Sequence, residues 1–362
     1  MSINHSKRLA SLESLRALAA LAVVVYHGGA IAAAQGFIDE PTNYSYWGKY
    51  GVHVFFCLSG FVICFVHYDD LGKPDRCPRY LWRRWARIWP LYAAITIAQA
   101  AFSMLTGIGE EIDLSRLMTS LMFFDLNTSP IVTVGWTLVH EAFFYFIFVV
   151  FMLVNRRLAA WGFVAFILIQ ALMEFFPADR ATLSPWVFHQ LRWLFISGIG
   201  GALVVRDLAN RGRLSALPSF QIGIMLILLV LSANGGQSHE LTTNRLFRAL
   251  LIQTFLVGIV VFEKRGVLKF SAVLTYLGKA SYSIYLVHAT FMLLGLKICS
   301  SKYPQIVSDH IYLVITILGI GGVVAGIVTY ETLEKSLTKL TNRLPKWHQS
   351  RKELAVKESE ST

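Results

Sequence analysis

The chain has 362 residues, of which 55% are hydrophobic and only 15% charged, and its formal net charge is +11. A water-soluble domain carries about 25% charged residues. The balance therefore excludes an ordinary soluble enzyme, a disordered chain, a collagen-like chain and a small disulfide-stapled domain, and it predicts an all-α, polytopic membrane protein.

A membrane-crossing helix needs about 20 predominantly apolar residues. Ten such runs are predicted in chain order: Leu12–Ala33, Gly51–Tyr68, Ile88–Thr106, Ile131–Val154, Leu158–Phe176, Trp186–Val205, Leu214–Ala233, Leu246–Phe262, Ser281–Ile298 and Ile311–Tyr330. The seventh contains Pro218 and is the weakest. Residues 1–337 are expected to form the membrane domain and 338–362 a basic, polar tail. With both termini in the cytoplasm, 24 Lys and Arg fall on the inner side and eight on the outer, as the positive-inside rule requires. The basic excess then records topology and contact with anionic lipid, and no nucleic-acid partner is expected. Lys7 and Arg8 ahead of an apolar run resemble a signal peptide. The length of that run, and Arg16 and His27 within it, favour a retained span.

Ionisable groups inside spans are costly and are by default candidates for function. In the first span, LESLRALAALAVVVYHGG, Arg16 and His27 are eleven residues apart. That is close to three helical turns and roughly 16 Å along the axis, so both side chains share a face. The second span, GVHVFFCLSGFVICF, is interrupted by Ser59 and Gly60. Gly60 suits close helix approach and Ser59 a hydrogen bond. The segment PRYLWRRWARIWPLY follows, with Arg79, Arg83, Arg84 and Arg87 interleaved with Trp82, Trp85 and Trp89. Arg83 and Arg87 stand i, i+4 on one face, and guanidinium forks suit phosphate oxygens. The alternative is a positively charged anchor with an aromatic belt.

The fourth span, VGWTLVHEAFFYFIF, buries Glu141 beside His140; the carboxylate needs a partner, either Arg16 or a histidine of another helix. The ninth, LGKASYSIYLVHATF, brings Ser281, Tyr282, Tyr285 and His288 into apolar surroundings, and in the tenth Gly322 and Gly326 suit close packing while Glu331 and Glu334 fall near the inner surface. The SGIGG run at Ser197–Gly201 lacks the strand and spacing of a dinucleotide site and reads as packing. Cys57, Cys64, Cys77 and Cys299 form no CxxC pair, and no metal site is expected.

Taken in order, SLRALAALAVVVYH, GVHVFFCLSGFVI, RRWARIWPLY, GWTLVHEAFFY and SYSIYLVH resemble the acyltransferase-3 family of integral membrane acyltransferases, and most of all its exopolysaccharide-production branch. The resemblance runs from about Leu12 to Leu337. It implies transfer of an acyl group, usually acetyl, from acyl-CoA to a hydroxyl of a cell-surface or lipid-linked glycan, in a bacterial inner membrane and in company with glycan-assembly proteins. It implies an essential pair in Arg16 and His27, and Glu141 matches the family's W[ST]LxxE motif; Glu141 or another acid is expected to orient the His27 ring. Arg83 and Arg87, with Arg84 between them, are implied as contacts of the CoA phosphates. Ser59 and Gly60, which match the SGF motif, join that donor-binding set. His288, in the late Y-L-x-H motif, is expected with Tyr285 and Trp136 to bind the acceptor. Two departures stand out: His53 where the family often has an acid, and Ser336 where it often has proline. The competing readings are a transporter or flippase of a glycan intermediate, with charges lining its pathway, and a non-catalytic membrane partner of a glycan synthase.

Overall fold

The computed structural model describes residues 9–107, 112–122, 130–175, 191–210 and 242–343. Every regular element among them is helical. The long helices are α1 (Ala10–Ala34), α3 (Tyr50–His67), α4 (Cys77–Thr106), α6 (Trp136–Leu153), α7 (Arg156–Phe175), α8 (Leu191–Asn210), α9 (Thr242–Lys264), α10 (Ala272–Lys302) and α12 (Ile311–Thr329). Short helices α2 (Asn43–Trp47), α5 (Leu114–Met122), α11 (Pro304–Asp309) and α13 (Lys335–Arg343) lie between or after them. Nine of the ten predicted runs coincide with a long helix; the seventh, Leu214–Ala233, falls outside the described residues.

Among the described residues, six stretches are long and apolar enough to cross a bilayer: Ala10–Ala34, Ser45–Asp70, Pro74–Thr106, Thr133–Leu153, Ala272–Lys302 and Ile311–Thr341. Helices α7, α8 and α9 carry more polar and charged positions, and in α8 the charges are satisfied within the protein. Arg192 is buried, donates to Gln170 Oε1 at 3.0 Å and lies over the Phe143 ring. Arg206 donates to both carboxylate oxygens of Asp69, at 2.8 and 3.0 Å, and to the Phe65 carbonyl at 3.1 Å. A hydropathy window sees only the cost of such residues. Their internal partners are what make an arginine tolerable there. On α12, by contrast, Leu313, Ile317, Ile320, Val324 and Val328 are all exposed at helical spacing, a stripe suited to lipid.

One close-packed seam of the bundle joins α1, α10 and α12. It is held at short range by missing side chains. A Cβ on Gly278 would stand 1.9 Å from the Glu13 carbonyl oxygen, and one on Gly326 would stand 2.4 Å from Ile284 Cα. Small residues at a crossing let the backbones meet, which is where van der Waals packing between membrane helices is strongest. At the start of α1 the Glu263 carboxylate accepts hydrogen bonds from the Ala10 and Ser11 amides and the Ser11 hydroxyl, capping the helix from α9.

A second seam joins α3 to α8 in the same way. Gly60 abuts the Phe195 carbonyl, where a Cβ would be 2.2 Å away, and Gly198 abuts the Cys57 carbonyl, where it would be 2.0 Å away. The SGIGG run is therefore packing, as its sequence suggests. A paired substitution separates contact from propensity. Gly198→Ala is expected to overpack this seam and destabilise the protein by about 1–3 kcal/mol or more. Gly200→Ala, two residues on with 3.7 Å of clearance to its nearest neighbour, is expected to be neutral or mildly stabilising. Thermal unfolding of the detergent-solubilised variants reads the difference.

Two boundaries differ most from expectation. The third span is expected to begin at Ile88, but α4 begins at Cys77, and the ninth is expected to begin at Ser281, but α10 begins at Ala272. The arginines that precede the third apolar run are thus on the helix itself.

Candidate active site

Two groups of polar side chains lie along α1, at the levels of Arg16 and His27. Around Arg16 the helices enclose a pocket lined by Arg16 of α1, Phe55 and Ser59 of α3, Arg84 and Arg87 of α4, Thr137, Glu141 and Tyr145 of α6, and Ser281, Tyr282 and Tyr285 of α10. With its open mouth it holds about 760 Å³ of empty space. Three guanidinium groups and one carboxylate face it.

Glu141 accepts hydrogen bonds from Ser59 Oγ at 3.0 Å and from the Tyr145 hydroxyl at 2.5 Å. Tyr145 is four residues on from Glu141 in α6, so helical spacing alone brings the phenol back onto the carboxylate. Arg84 lies over the rings of Tyr80 and Tyr145, 5.4 Å from each centroid, which fixes a long side chain at the pocket wall. Behind the pocket, Glu334 accepts from Ser283 Oγ at 2.5 Å and interacts electrostatically with Arg87 and Arg16. Glu334 closes a π-helical turn, Tyr330–Glu334, between α12 and α13; such turns displace side chains from the regular helical face.

At the other end of the pocket the Tyr285 hydroxyl lies 2.9 Å from Thr137 Oγ1 and 3.3 Å from the Val134 carbonyl oxygen. Phe55 meets the Tyr285 ring edge-on. One turn further along α10, the buried His288 ring stands 6.0 Å from the Tyr285 ring and 4.9 Å from that of His27, centroid to centroid. His288 Nε2 is 3.0 Å from His27 Nδ1. His27 Nδ1 is also 3.1 Å from the Val23 carbonyl oxygen, and His288 Nδ1 is 2.9 Å from that of Ile284. Gly322 of α12 lets its backbone approach the His288 turn, where a Cβ would lie 3.2 Å from His288 Cα.

Several expectations are revised by these placements. The ring of His27 is met by His288 of α10, whereas Glu141 is engaged by Ser59 and Tyr145, so the acid does not orient the imidazole here. Arg16 and Glu141 do face one pocket. Of the i, i+4 arginine pair, Arg87 lines the pocket but Arg83 does not; Arg84, i, i+3 from Arg87, takes the second place. Gly60 faces α8 and is a packing residue, while Ser59 beside it reaches the pocket. Trp136 lies off the pocket, half exposed, with its ring edge-on to His140. Tyr285 lines the pocket and His288 stands behind it. The His27–His288 pair itself is not among the lining side chains; Tyr285 is the link between the two groups. Tyr145 and Thr137 also line the pocket; neither carries a charge to mark it in the sequence, though both sit at helical spacing from Glu141.

A family model described as an acyltransferase domain matches residues 9–332. The chain belongs to the acyltransferase-3 family. Two relatives are similar over most of their length. One is "Acyltransferase MdmB" of Streptomyces mycarofaciens, 29% identical over 321 residues, covering 78% of each chain. The other is "Exopolysaccharide production protein ExoZ" of Rhizobium meliloti (strain 1021), 27% identical over 319 residues, covering 81% of this chain and 90% of that one. No solved structure matches. The similarity to the exopolysaccharide protein agrees with the branch that the SLRALAALAVVVYH and GWTLVHEAFFY motifs resemble. The protein is thus a multi-pass membrane acyltransferase of this family.

Proposed function

We propose that the protein transfers an acyl group, acetyl in the simplest case, from cytosolic acyl-CoA to a hydroxyl of a cell-surface or lipid-linked glycan, from a bacterial inner membrane and with both termini in the cytoplasm. The observation that carries this reading is a pocket between membrane helices with three arginines at one end and Tyr285, backed by two histidines, at the other. Guanidinium groups at a helix-framed mouth suit the phosphates of CoA. The apolar walls beyond, Val52, Phe55, Phe56, Leu58, Val62 and Leu138, suit the uncharged arm that carries the thioester.

In this mechanism His27 is the general base. As the sugar oxygen attacks the thioester carbonyl carbon, the hydroxyl proton passes to His27 Nε2. The tetrahedral adduct collapses, the C–S bond breaks, and the same proton returns to the departing sulfur, leaving an ester and free CoA. Arg16, roughly 16 Å along the helix from His27, acts on the donor's phosphates and not on the reacting carbonyl. At that end Arg16 pairs with Glu13 at 3.9 Å, and Glu141, lining the same pocket, keeps Ser59 and Tyr145 in fixed positions at the pocket wall.

Incubating membranes that contain the protein with acetyl-labelled acetyl-CoA tests this reading against its competitors. Label is expected in the glycan fraction, with free CoA appearing in equal amount. Movement of glycan without CoA release would instead make the protein a transporter. Neither event, in membranes that hold the folded chain, would make it a non-catalytic partner.

A further inference from the structure

The hydrogen-bond geometry around the two histidines admits a single arrangement of protons. The Ile284 carbonyl only accepts, so the nitrogen facing it, His288 Nδ1 at 2.9 Å, carries a hydrogen. The Val23 carbonyl likewise only accepts, so His27 Nδ1 at 3.1 Å carries one too. His288 Nε2, 3.0 Å from that same His27 Nδ1–H, must then present its lone pair. The His27 hydrogen is shared between a backbone carbonyl and an imidazole nitrogen in a three-centre hydrogen bond. His288 is therefore the neutral Nδ1–H tautomer. A second proton on it would set two N–H groups against each other. Among the described residues, the one ring nitrogen of the pair left with a free lone pair is His27 Nε2.

We infer that His288 is a positioning residue that fixes the tautomer and ring plane of His27, so that Nε2 alone serves as the base. This rests on the acyltransferase reading and deepens it by assigning to a second imidazole the task a carboxylate performs in a Ser-His-Asp triad. The imidazole is the acceptor that orients the base, and the proton taken from the acceptor hydroxyl stays on His27 Nε2 until it is returned to sulfur. The surroundings keep His288 in its place: the residue is wholly buried, its Nδ1–H is tied to its own helix, and Gly322 brings the α12 backbone against its turn. A carboxylate at this position would carry a charge into the middle of the bundle. A neutral imidazole accepts the same hydrogen bond without that cost.

The test compares His288→Phe and His288→Gln with the unsubstituted protein, measuring CoA release from acetyl-CoA in proteoliposomes supplied with glycan acceptor. Phenylalanine keeps the ring's bulk and removes the acceptor nitrogen. The glutamine side chain places an amide oxygen near the position of Nε2. The expected result is a fall in kcat of about 10- to 100-fold for H288F, with the KM for acetyl-CoA unchanged and the thermal midpoint preserved, and recovery of most of that loss in H288Q. Full kcat in H288F overturns the positioning role and leaves the acyltransferase reading standing. A folded H288Q no better than H288F also overturns it, because the acceptor atom would then not be what matters. If H288F fails to fold, the H288Q rate alone decides: near-normal kcat supports the role and loss of kcat refutes it. Absence of CoA release by the unsubstituted protein overturns the parent reading itself.

Discussion

Replacement of His27 by alanine is expected to lower acyl transfer by about 10²- to 10⁴-fold, the range in which a positioned general base contributes. The loss should appear in kcat. His27 lies beyond Tyr285, away from the arginines, so the KM for acyl-CoA should stay within about twofold and protein levels should be normal. The reason lies in where the imidazole stands. A histidine in a membrane helix is costly unless its hydrogen bonds are met, and here one nitrogen is met twice while the other is left for chemistry. A structural histidine would have both nitrogens occupied and would tolerate an isosteric replacement in proportion to its packing. Rates measured at equal protein level in membranes, followed by rates on purified protein, check the expectation. Unchanged kcat in H27A would remove the base from the mechanism.

The second large effect belongs to the arginines. Arg84→Ala and Arg87→Ala should each raise the KM for acyl-CoA by about tenfold or more, since a hydrogen bond to a charged group is worth about 1.5–3 kcal/mol and 1.4 kcal/mol is a factor of ten. Arg83→Ala, one residue away on the same helix but outside the pocket lining, should change it by less than about twofold. The three side chains share a segment, a helix and a charge, so a general electrostatic attraction of CoA to the membrane surface would weaken similarly in all three. A pocket requires Arg84 and Arg87 to differ from Arg83. Arg84→Lys should recover only part of the loss, because an ammonium keeps the charge but not the two-pronged donor geometry. KM measured in proteoliposomes at fixed ionic strength tells the two apart. Equal effects at all three positions would argue against a site.

Much of the fold was written in hydropathy. The apolar runs located nine helices that the structure describes, because an apolar stretch leaves a strong and local signal, and six stretches among the described residues are long and apolar enough to span a bilayer. What hydropathy could not give was the end of α4, where the helix continues through its arginines, or the reason α8 tolerates Arg192 and Arg206. The two arginines of α8 depend on partners distant in sequence, Gln170 for Arg192 and Asp69 for Arg206. The site divides in the same way. Arg16 and His27 were legible as a pair because they sit on one helix face, and Ser59, Glu141 and Tyr285 were legible as polar residues in apolar spans. Which of them meet was not legible. The i, i+4 rule favours Arg83 with Arg87, yet the packing of α4 turns Arg84 inward. A carboxylate is the natural partner for an imidazole, yet the crossing of α1 with α10, where Gly278 meets Glu13 roughly three to four turns away, brings a second imidazole there. Spacing within a helix is fixed by the backbone, whereas rotation about its axis is fixed by its neighbours.

The central claim joins an arginine-lined donor pocket to a histidine base, and the position of a bound donor tests it most directly. An experimental structure of the protein in lipid with a non-hydrolysable acyl-CoA analogue is predicted to place phosphate oxygens within hydrogen-bond reach of Arg84 and Arg87. The Tyr285 ring should be displaced or passed by the acyl arm, and the carbonyl carbon should lie where a hydroxyl bound to His27 Nε2 could attack it, about 3–3.5 Å from the attacking oxygen. An analogue bound away from these arginines, or a carbonyl held on the far side of Tyr285 with His27 sealed from it, would contradict the account.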